Sequence, residues 1–453
     1  MKSLFFSFSV LLLISIFFSC GSDLNSSSTT QELEQKDVEL IALMKGNAPT
    51  GDISYYRLPE SNDFSNIPQD PRNPITKDKV ALGGFLFHET ALGISAKNEK
   101  FIKTFSCASC HHADAGFQAG VIQGIGEGGK GFGTTGELRR PFPGAQNIDV
   151  QPLRSPTAMN GAYQKNMLWN GQFGATALNE GTEHLWPAGT PIETNKLGFE
   201  GIETQAIAGM GVHRLDINEE VIKISAYKNL FDQVYPNEPE SERYSLKNAA
   251  LAIAAFERTL LSNKAPFQQY LQGKLDAMSA MEKEGATLFF GKAGCVNCHT
   301  GPALNSMQFN AIGLGDMYDC PEPTVGTKIN DTANLGRGGF TGKSTDNYKF
   351  KVPQLYNLKD SPFYGHGATL RSVREVIIYK NNAKPQNTNI TTSQLDPLFK
   401  PLGLNNSEIS AIEAFISNAL YDSNLQRYVP DLLPSGQCFP NADIQSRIDL
   451  GCY

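Results

Sequence analysis

Cys107-Ala108-Ser109-Cys110-His111 and Cys295-Val296-Asn297-Cys298-His299 are two copies of one pattern, C-x-x-C-H, and their reading decides the rest of the chain. The pattern attaches c-type haem. Two thiols form thioethers with the haem vinyls, and the histidine that follows reaches the iron. A thiol redox pair or half of a zinc site also uses paired cysteines, but neither needs a histidine directly after the second one, in both copies. Two covalently bound haem c groups are therefore expected, one on Cys107, Cys110 and His111, the other on Cys295, Cys298 and His299. Redox chemistry follows from them.

Covalent haem attachment needs export, and Lys2 followed by the apolar run Leu4 to Phe18 has the charged and apolar regions of a secretory signal, residues 1–19. This run is too short to span a bilayer. It ends in Phe18-Ser19-Cys20-Gly21, which resembles a bacterial lipoprotein box with Cys20 as the lipidated first residue; the alternative is an ordinary cleaved signal that happens to contain a cysteine. The polar, Ser-rich stretch from Gly21 to about Lys36 cannot bury a core and is expected to be a tether to a membrane, in the periplasm or cell envelope. Of the 8 cysteines, Cys320, Cys438 and Cys452 are left over; Cys438 with Cys452 is the nearest pair, and Cys320 with either is equally allowed. A formal charge of −7 argues against nucleic acid and favours a cationic redox partner.

A weak internal repeat precedes the two motifs: Ala81-Leu82-Gly83-Gly84-Phe85-Leu86-Phe87 and Gly285-Ala286-Thr287-Leu288-Phe289-Phe290-Gly291. Helical spacing of apolar residues is clearest over Ser245–Ser262, over Leu370–Tyr379, and after Asn405, which forms a capping box with Glu408 and precedes Ile409, Ile412, Ile416 and Leu420 on one face. Elsewhere 42 glycines and 25 prolines punctuate long loops such as Gly120–Pro152. The fold class expected is mainly α, two cytochrome c-like haem domains with long loops, because a covalent cofactor supplies much of each core. The boundaries are 20–70 for the tether and N-terminal extension, 71–244 and 245–427 for the two haem domains, and 428–453 for a Cys-containing tail.

Several segments, in order, carry a resemblance to a known family: Leu82–Phe87 before the first motif, then Arg154-Ser155-Pro156-Thr157, Leu168-Trp169-Asn170-Gly171, Ala254-Ala255-Phe256-Glu257-Arg258-Thr259-Leu260 and Val352-Pro353-Gln354-Leu355-Tyr356-Asn357-Leu358. The chain is similar to the bacterial dihaem cytochrome c peroxidases and MauG, which oxidises tryptophans in a partner protein. The resemblance implies that the N-terminal haem, with His111 as proximal ligand, meets hydrogen peroxide, and that the His299 haem receives and stores electrons from a small cytochrome c or cupredoxin. A homodimer is common in such proteins. Many relatives close the first haem with a histidine from the following loop; Ala113–Leu153 has none, and His112 cannot easily reach the far face, so an open first haem is expected.

The resemblance also assigns roles. Gln205 in Gln205-Ala206 matches a distal glutamine, and His213 stands where relatives carry a glutamate, with Glu203 as a second acid-base candidate. Trp169 matches an electron relay between the haems, and Asn170-Gly171-Gln172 replaces an Asp-Gly-Arg whose salt-bridge partner is expected to be lost. The slot of the second haem's other ligand holds Tyr379, as in MauG, with Met317 from a loop as the alternative. Ca2+ is an open expectation: its usual asparagine aligns with Arg154, which opposes it, whereas Asp360 favours it. His88 reads as structural, and His184 with Trp186, in an insertion after Gln172, read as solvated loop residues. The function expected is peroxidase; a MauG-like oxidase of an aromatic residue in a partner, and a non-enzymatic dihaem electron carrier, are the alternatives.

Overall fold

The computed structural model describes residues 23–452, with side chains from residue 35 on; the expected signal and the lipidated Cys20 lie outside the described residues. Seven helices frame the functional regions: α1 (Asp23–Asn47), α2 (Lys77–His88), α3 (Gly201–Val212), α4 (Leu246–Arg258), α5 (Ala280–Phe290), α6 (Val373–Asn382) and α7 (Asn406–Ala414). Among the described residues, strand is limited to two antiparallel ribbons, Gly129–Lys130 with Arg140–Pro141 and Phe309–Asn310 with Phe350–Lys351. The chain is mainly helical, as expected. No described helix is long and apolar enough to cross a membrane.

The helix starts are written locally. Thr76, Ser245 and Ser372 each accept a hydrogen bond from a first-turn backbone N–H, and Ser279 with Glu282 and Asn405 with Glu408 form reciprocal capping boxes. Helix α7 continues into a π-helical turn, Phe415–Ala419, so that Ile409, Ile412, Ile416 and Leu420 are all buried.

The repeat seen in sequence is a repeat in packing. Gly83 of α2 lies against the backbone of α4 so closely that a Cβ would stand 1.9 Å from the Ala252 carbonyl oxygen, and Gly285 of α5 meets the Ala411 carbonyl of α7 at the same 1.9 Å. Each helix before a haem motif thus crosses a later helix through a glycine, and only a missing side chain permits the approach. Two apolar clusters surround these crossings. Leu86, Phe87, Phe117, Ile202 and Phe256 belong to one; Phe267, Phe289, Phe290, Ile412 and Phe415 belong to the other.

The N-terminal segment joins the fold just after the stretch expected to be a tether. Residues 23–47 form α1, and its later half is anchored: Leu40 and Met44 are fully buried, and Asp37 accepts from the Tyr270 hydroxyl at 2.9 Å and pairs with Lys283 at 2.8 Å. Asp37, Leu40 and Met44 share a helical face and follow the Ser-rich stretch that ends at about Lys36. Tyr56, Leu58 and Ile67 then continue over the cluster that surrounds the second, C-terminal haem motif.

At the other end, Cys438 and Cys452 form a disulfide, and Cys320 is a free thiol. The closed tail clasps the first haem motif. Its Pro440 carbonyl accepts from the Ser106 and Ser109 hydroxyls, and Asp443 and Asp449 accept backbone N–H groups of Gly131, Phe132 and Gly133 in the long loop.

Alanine at Gly83 or Gly285 should cost about 3 kcal/mol through overpacking against a fixed carbonyl. Gly46→Ala, in α1 with nothing within 4 Å of the added atom, should change stability by less than about 1 kcal/mol. Urea denaturation midpoints check both; equal effects would refute the glycine crossings.

Candidate functional site

Each C-x-x-C-H motif folds as one short turn, Cys107–Ser109 and Cys295–Asn297, and the histidine N–H closes it on the first cysteine, His111 to the Cys107 carbonyl at 3.2 Å and His299 to that of Cys295 at 2.9 Å. Thiol and imidazole of each motif thus border one cavity. Cys107, Cys110 and His111 line a cavity of 310 Å³, and Cys298 and His299 line one of 220 Å³. His111 Nδ1 faces the Phe117 carbonyl at 3.2 Å, and His299 Nδ1 faces the carbonyls of Leu304 and Pro353, both at 3.1 Å. With the proton held at Nδ1, the Nε2 lone pair is free for a metal. Burial pushes both imidazoles down to about 4, so they are neutral near pH 7. All four thiols are unpaired, and Gly124 leaves room for Cys110, whose sulfur an added Cβ would approach to 2.7 Å. The donor sets fit two haem c groups, which the family relationship reported below implies.

In the larger cavity, Gln205, Gly209 and His213 succeed one another at i, i+4, i+8 along α3 and its C-cap, so the helix itself presents Gln205 and His213 on one face. His213 Nδ1 meets Asp149 at 3.0 and 3.2 Å from its two carboxylate oxygens. Burial opposes the imidazolium, yet the Asp149 carboxylate outweighs it and raises the His213 pKa; Arg214, itself paired with Glu127, works in the other direction. Asp149 was not evident from the sequence, because it lies in the irregular Gly120–Pro152 loop and has no periodic signal. Glu257 lines this cavity too, and burial, then the nearby Glu203, pushes its carboxyl up to about 8.

Glu203 itself does not reach either cavity. It is fully buried in a forked ion pair with Arg258, at 2.8 and 2.6 Å, so it is a structural counter-charge rather than an acid-base group. His112 is turned away to the Thr135 carbonyl at 3.0 Å, and His88 is buried, bonded to the Gly84 carbonyl at 2.8 Å. His184 is exposed, but Trp186, expected to be solvated, is only 4% exposed.

Trp169 borders both cavities, and its indole N–H donates to the Arg154 carbonyl at 2.8 Å. Arg154 borders both as well. Its guanidinium is buried among neutral acceptors: the carbonyls of Val121 at 2.8 Å and Ala119 at 2.9 Å, and the Ser361 hydroxyl at 3.1 Å. An arginine cation thus fills a carbonyl-lined site, while Asp360 is held separately by Asn357 at 3.3 Å. Arg337 takes the carbonyls of Asn170 and Gly171, both at 3.1 Å, and so braces the turn after Trp169 without a carboxylate.

Tyr379, on α6, lines the smaller cavity with His299; its hydroxyl donates to the Ile312 carbonyl at 2.5 Å, and burial raises its pKa. Met317 is buried on a separate short turn and does not line that cavity.

Residues 77–276 match the family model described as di-haem cytochrome c peroxidase. Cytochrome-c peroxidase IdrP1 of Denitromonas iodatirespirans is 28% identical over 388 residues, 82% of this chain and 88% of that protein. Methylamine utilization protein MauG of Methylorubrum extorquens is 29% identical over 325 residues, 71% of this chain and 72% of MauG. Among solved structures, a MauG-like protein associated with microbial copper homeostasis has the same fold, with a TM-score of 0.56 at 21% identity, covering 83% of this chain and 98% of that one. The matched segment and these relatives make the chain similar to the di-haem cytochrome c peroxidases and to MauG, which are oxidoreductases.

Proposed function

We propose that the chain is a dihaem peroxidase of two cytochrome c-like units, 71–244 and 245–427, that reduces hydrogen peroxide to water with electrons from a small cytochrome c or cupredoxin. Residues 1–19 direct export in this reading, and Cys20 anchors the protein in the periplasm or cell envelope. The observation that carries it is the His213–Asp149 pair beside Gln205 in the cavity of Cys107, Cys110 and His111. When bound there, haem iron supplies the redox chemistry, and the net reaction is H2O2 with two protons and two electrons giving two waters. The residues supply everything else. His213 Nε2 takes a proton from peroxide and returns it to the departing oxygen, while Asp149 holds the imidazole by Nδ1. Gln205 orients the peroxide through its amide. Trp169, on the wall common to both cavities, is the electron path between them.

His213→Gln should slow the reaction of fully oxidised, haem-loaded protein with one equivalent of peroxide by about 100-fold in stopped flow. The neutral imidazole is the active form. Because Asp149 raises the His213 pKa, the rate should fall as pH drops through that raised value, and Asp149→Asn should move this acid limb to lower pH. An unmoved limb would remove His213 from the mechanism.

A second reading, a MauG-like oxidase acting on an aromatic residue of a partner protein, is favoured by one observation: Tyr379, and not Met317, lines the His299 cavity. As an axial ligand, tyrosine would favour oxidised states, whereas methionine raises the potential. Tyr379→Met should therefore raise the midpoint of the haem on Cys295 and Cys298, measured by spectroelectrochemistry; an unchanged midpoint would exclude Tyr379 as a ligand.

A further inference from the structure

The 220 Å³ cavity that holds Cys298 and His299 has an unusual charge balance. Arg154, Lys351 and Lys380 line it, and among the described residues no aspartate or glutamate does. The chain is not short of acids, since 46 acidic residues face 39 basic ones. Lys351 is the plainest case. It is 6% exposed, and its ammonium meets two neutral acceptors, the Gln164 side-chain oxygen and the Asn166 carbonyl, the latter at 3.0 Å. An ammonium has three N–H donors, so one is left over. Burial alone pushes this group down to about 7, as expected of an ammonium with no counter-ion. Arg154 repeats the pattern on the neighbouring wall: its partners are neutral, and its Nε–H is buried without an acceptor.

An uncompensated buried cation is costly, and two on one wall with spare donors mark the seat of a missing anion. The site lies at the partition between the cavities. The Lys351 backbone N–H donates to the Trp169 carbonyl at 2.8 Å, the Trp169 indole donates to the Arg154 carbonyl, and both Trp169 and Arg154 border the two cavities. A haem tethered by its vinyl edge to cysteines carries two carboxylates, its propionates, at the opposite edge.

We infer that Lys351, with Arg154 beside it, is the seat of a propionate of the haem carried by Cys295 and Cys298, and that its charge sets that haem's potential. This rests on the dihaem reading above. Lys351 is a positioning residue: it offers a charge-assisted hydrogen bond to the carboxylate and does not touch the reacting peroxide. Once the carboxylate is in place, the ammonium is a fixed positive charge near the iron, which favours the reduced state.

The test uses the haem-loaded full chain. Haem number is read from intact mass and each haem's midpoint from a spectroelectrochemical titration. Lys351→Met should lower the reduction equilibrium constant of the Cys295/Cys298 haem about tenfold, a fall of about 59 mV for a one-electron couple. Lys351→Arg, which keeps the charge, should leave it within about half of that shift. Lys351→Gln, neutral but still a donor for the Asn166 carbonyl, serves in place of the methionine variant if that one fails to accumulate. An unchanged midpoint in a neutral variant that carries both haems, or a shift confined to the Cys107/Cys110 haem, overturns the inference. Fewer than two haems in the unmodified protein would instead overturn the dihaem reading, so the two failures are distinct.

Discussion

The buried guanidinium of Arg154 is the interaction on which the functional half of this structure depends. It gathers the carbonyls of Ala119 and Val121 from the loop after the first haem motif and the Ser361 hydroxyl from the C-terminal half. Its own backbone carbonyl receives the Trp169 indole, and its N–H donates to the His366 carbonyl at 2.9 Å. One side chain thereby fixes the wall that both cavities share. A cation can be kept there because carbonyl oxygens stand in for water, and hydrogen bonds to charged groups contribute more than neutral ones.

Around that wall the two cavities differ in their titratable lining. The one at His111 contains the carboxyl groups of Asp149 and Glu257; the one at His299 contains lysines and no described acid. Negative groups favour the oxidised state of a nearby metal and positive groups the reduced state, so a cation kept charged at Lys351 would favour electrons on the His299 side. Tyr379 would work against that bias if it ligates iron, and the balance between the two sets the potential. The carboxylate beside His213 bears on acid-base chemistry, since it raises the basicity of the imidazole that lines the same cavity.

Order around the first motif is reinforced from the far end of the chain. The Cys438–Cys452 tail bonds to Ser106, Ser109 and the loop at Gly131–Gly133, the loop that also delivers Asp149. A long Gly-rich loop has little regular hydrogen bonding of its own, so side-chain and tail contacts supply what a helix would otherwise provide. The N-terminal segment plays a matching part on the other side, where α1 and the residues after it cover the cluster around the second motif.

How much of this was legible beforehand follows from the range of each interaction. The haem motifs, the capping box at Asn405, the face of Ile409, Ile412, Ile416 and Leu420, and the paired apolar segments before each motif are local patterns, written within a turn or two of chain. Helix periodicity and motif spacing determine them, and so the sequence by itself determined a mainly helical protein with two C-x-x-C-H motifs suited to haem c. It could not show that Glu203 is consumed by Arg258, that Asp149 stands behind His213, that Trp186 is buried, or that Lys351 lies in a cavity without acids. Each of those depends on partners distant in sequence, and burial and charge pairing are properties of the packed chain. Tertiary structure alone decided which titratable groups face a cavity and which are spent on holding the fold together, because only packing determines which of them lose water and which counter-charge they meet.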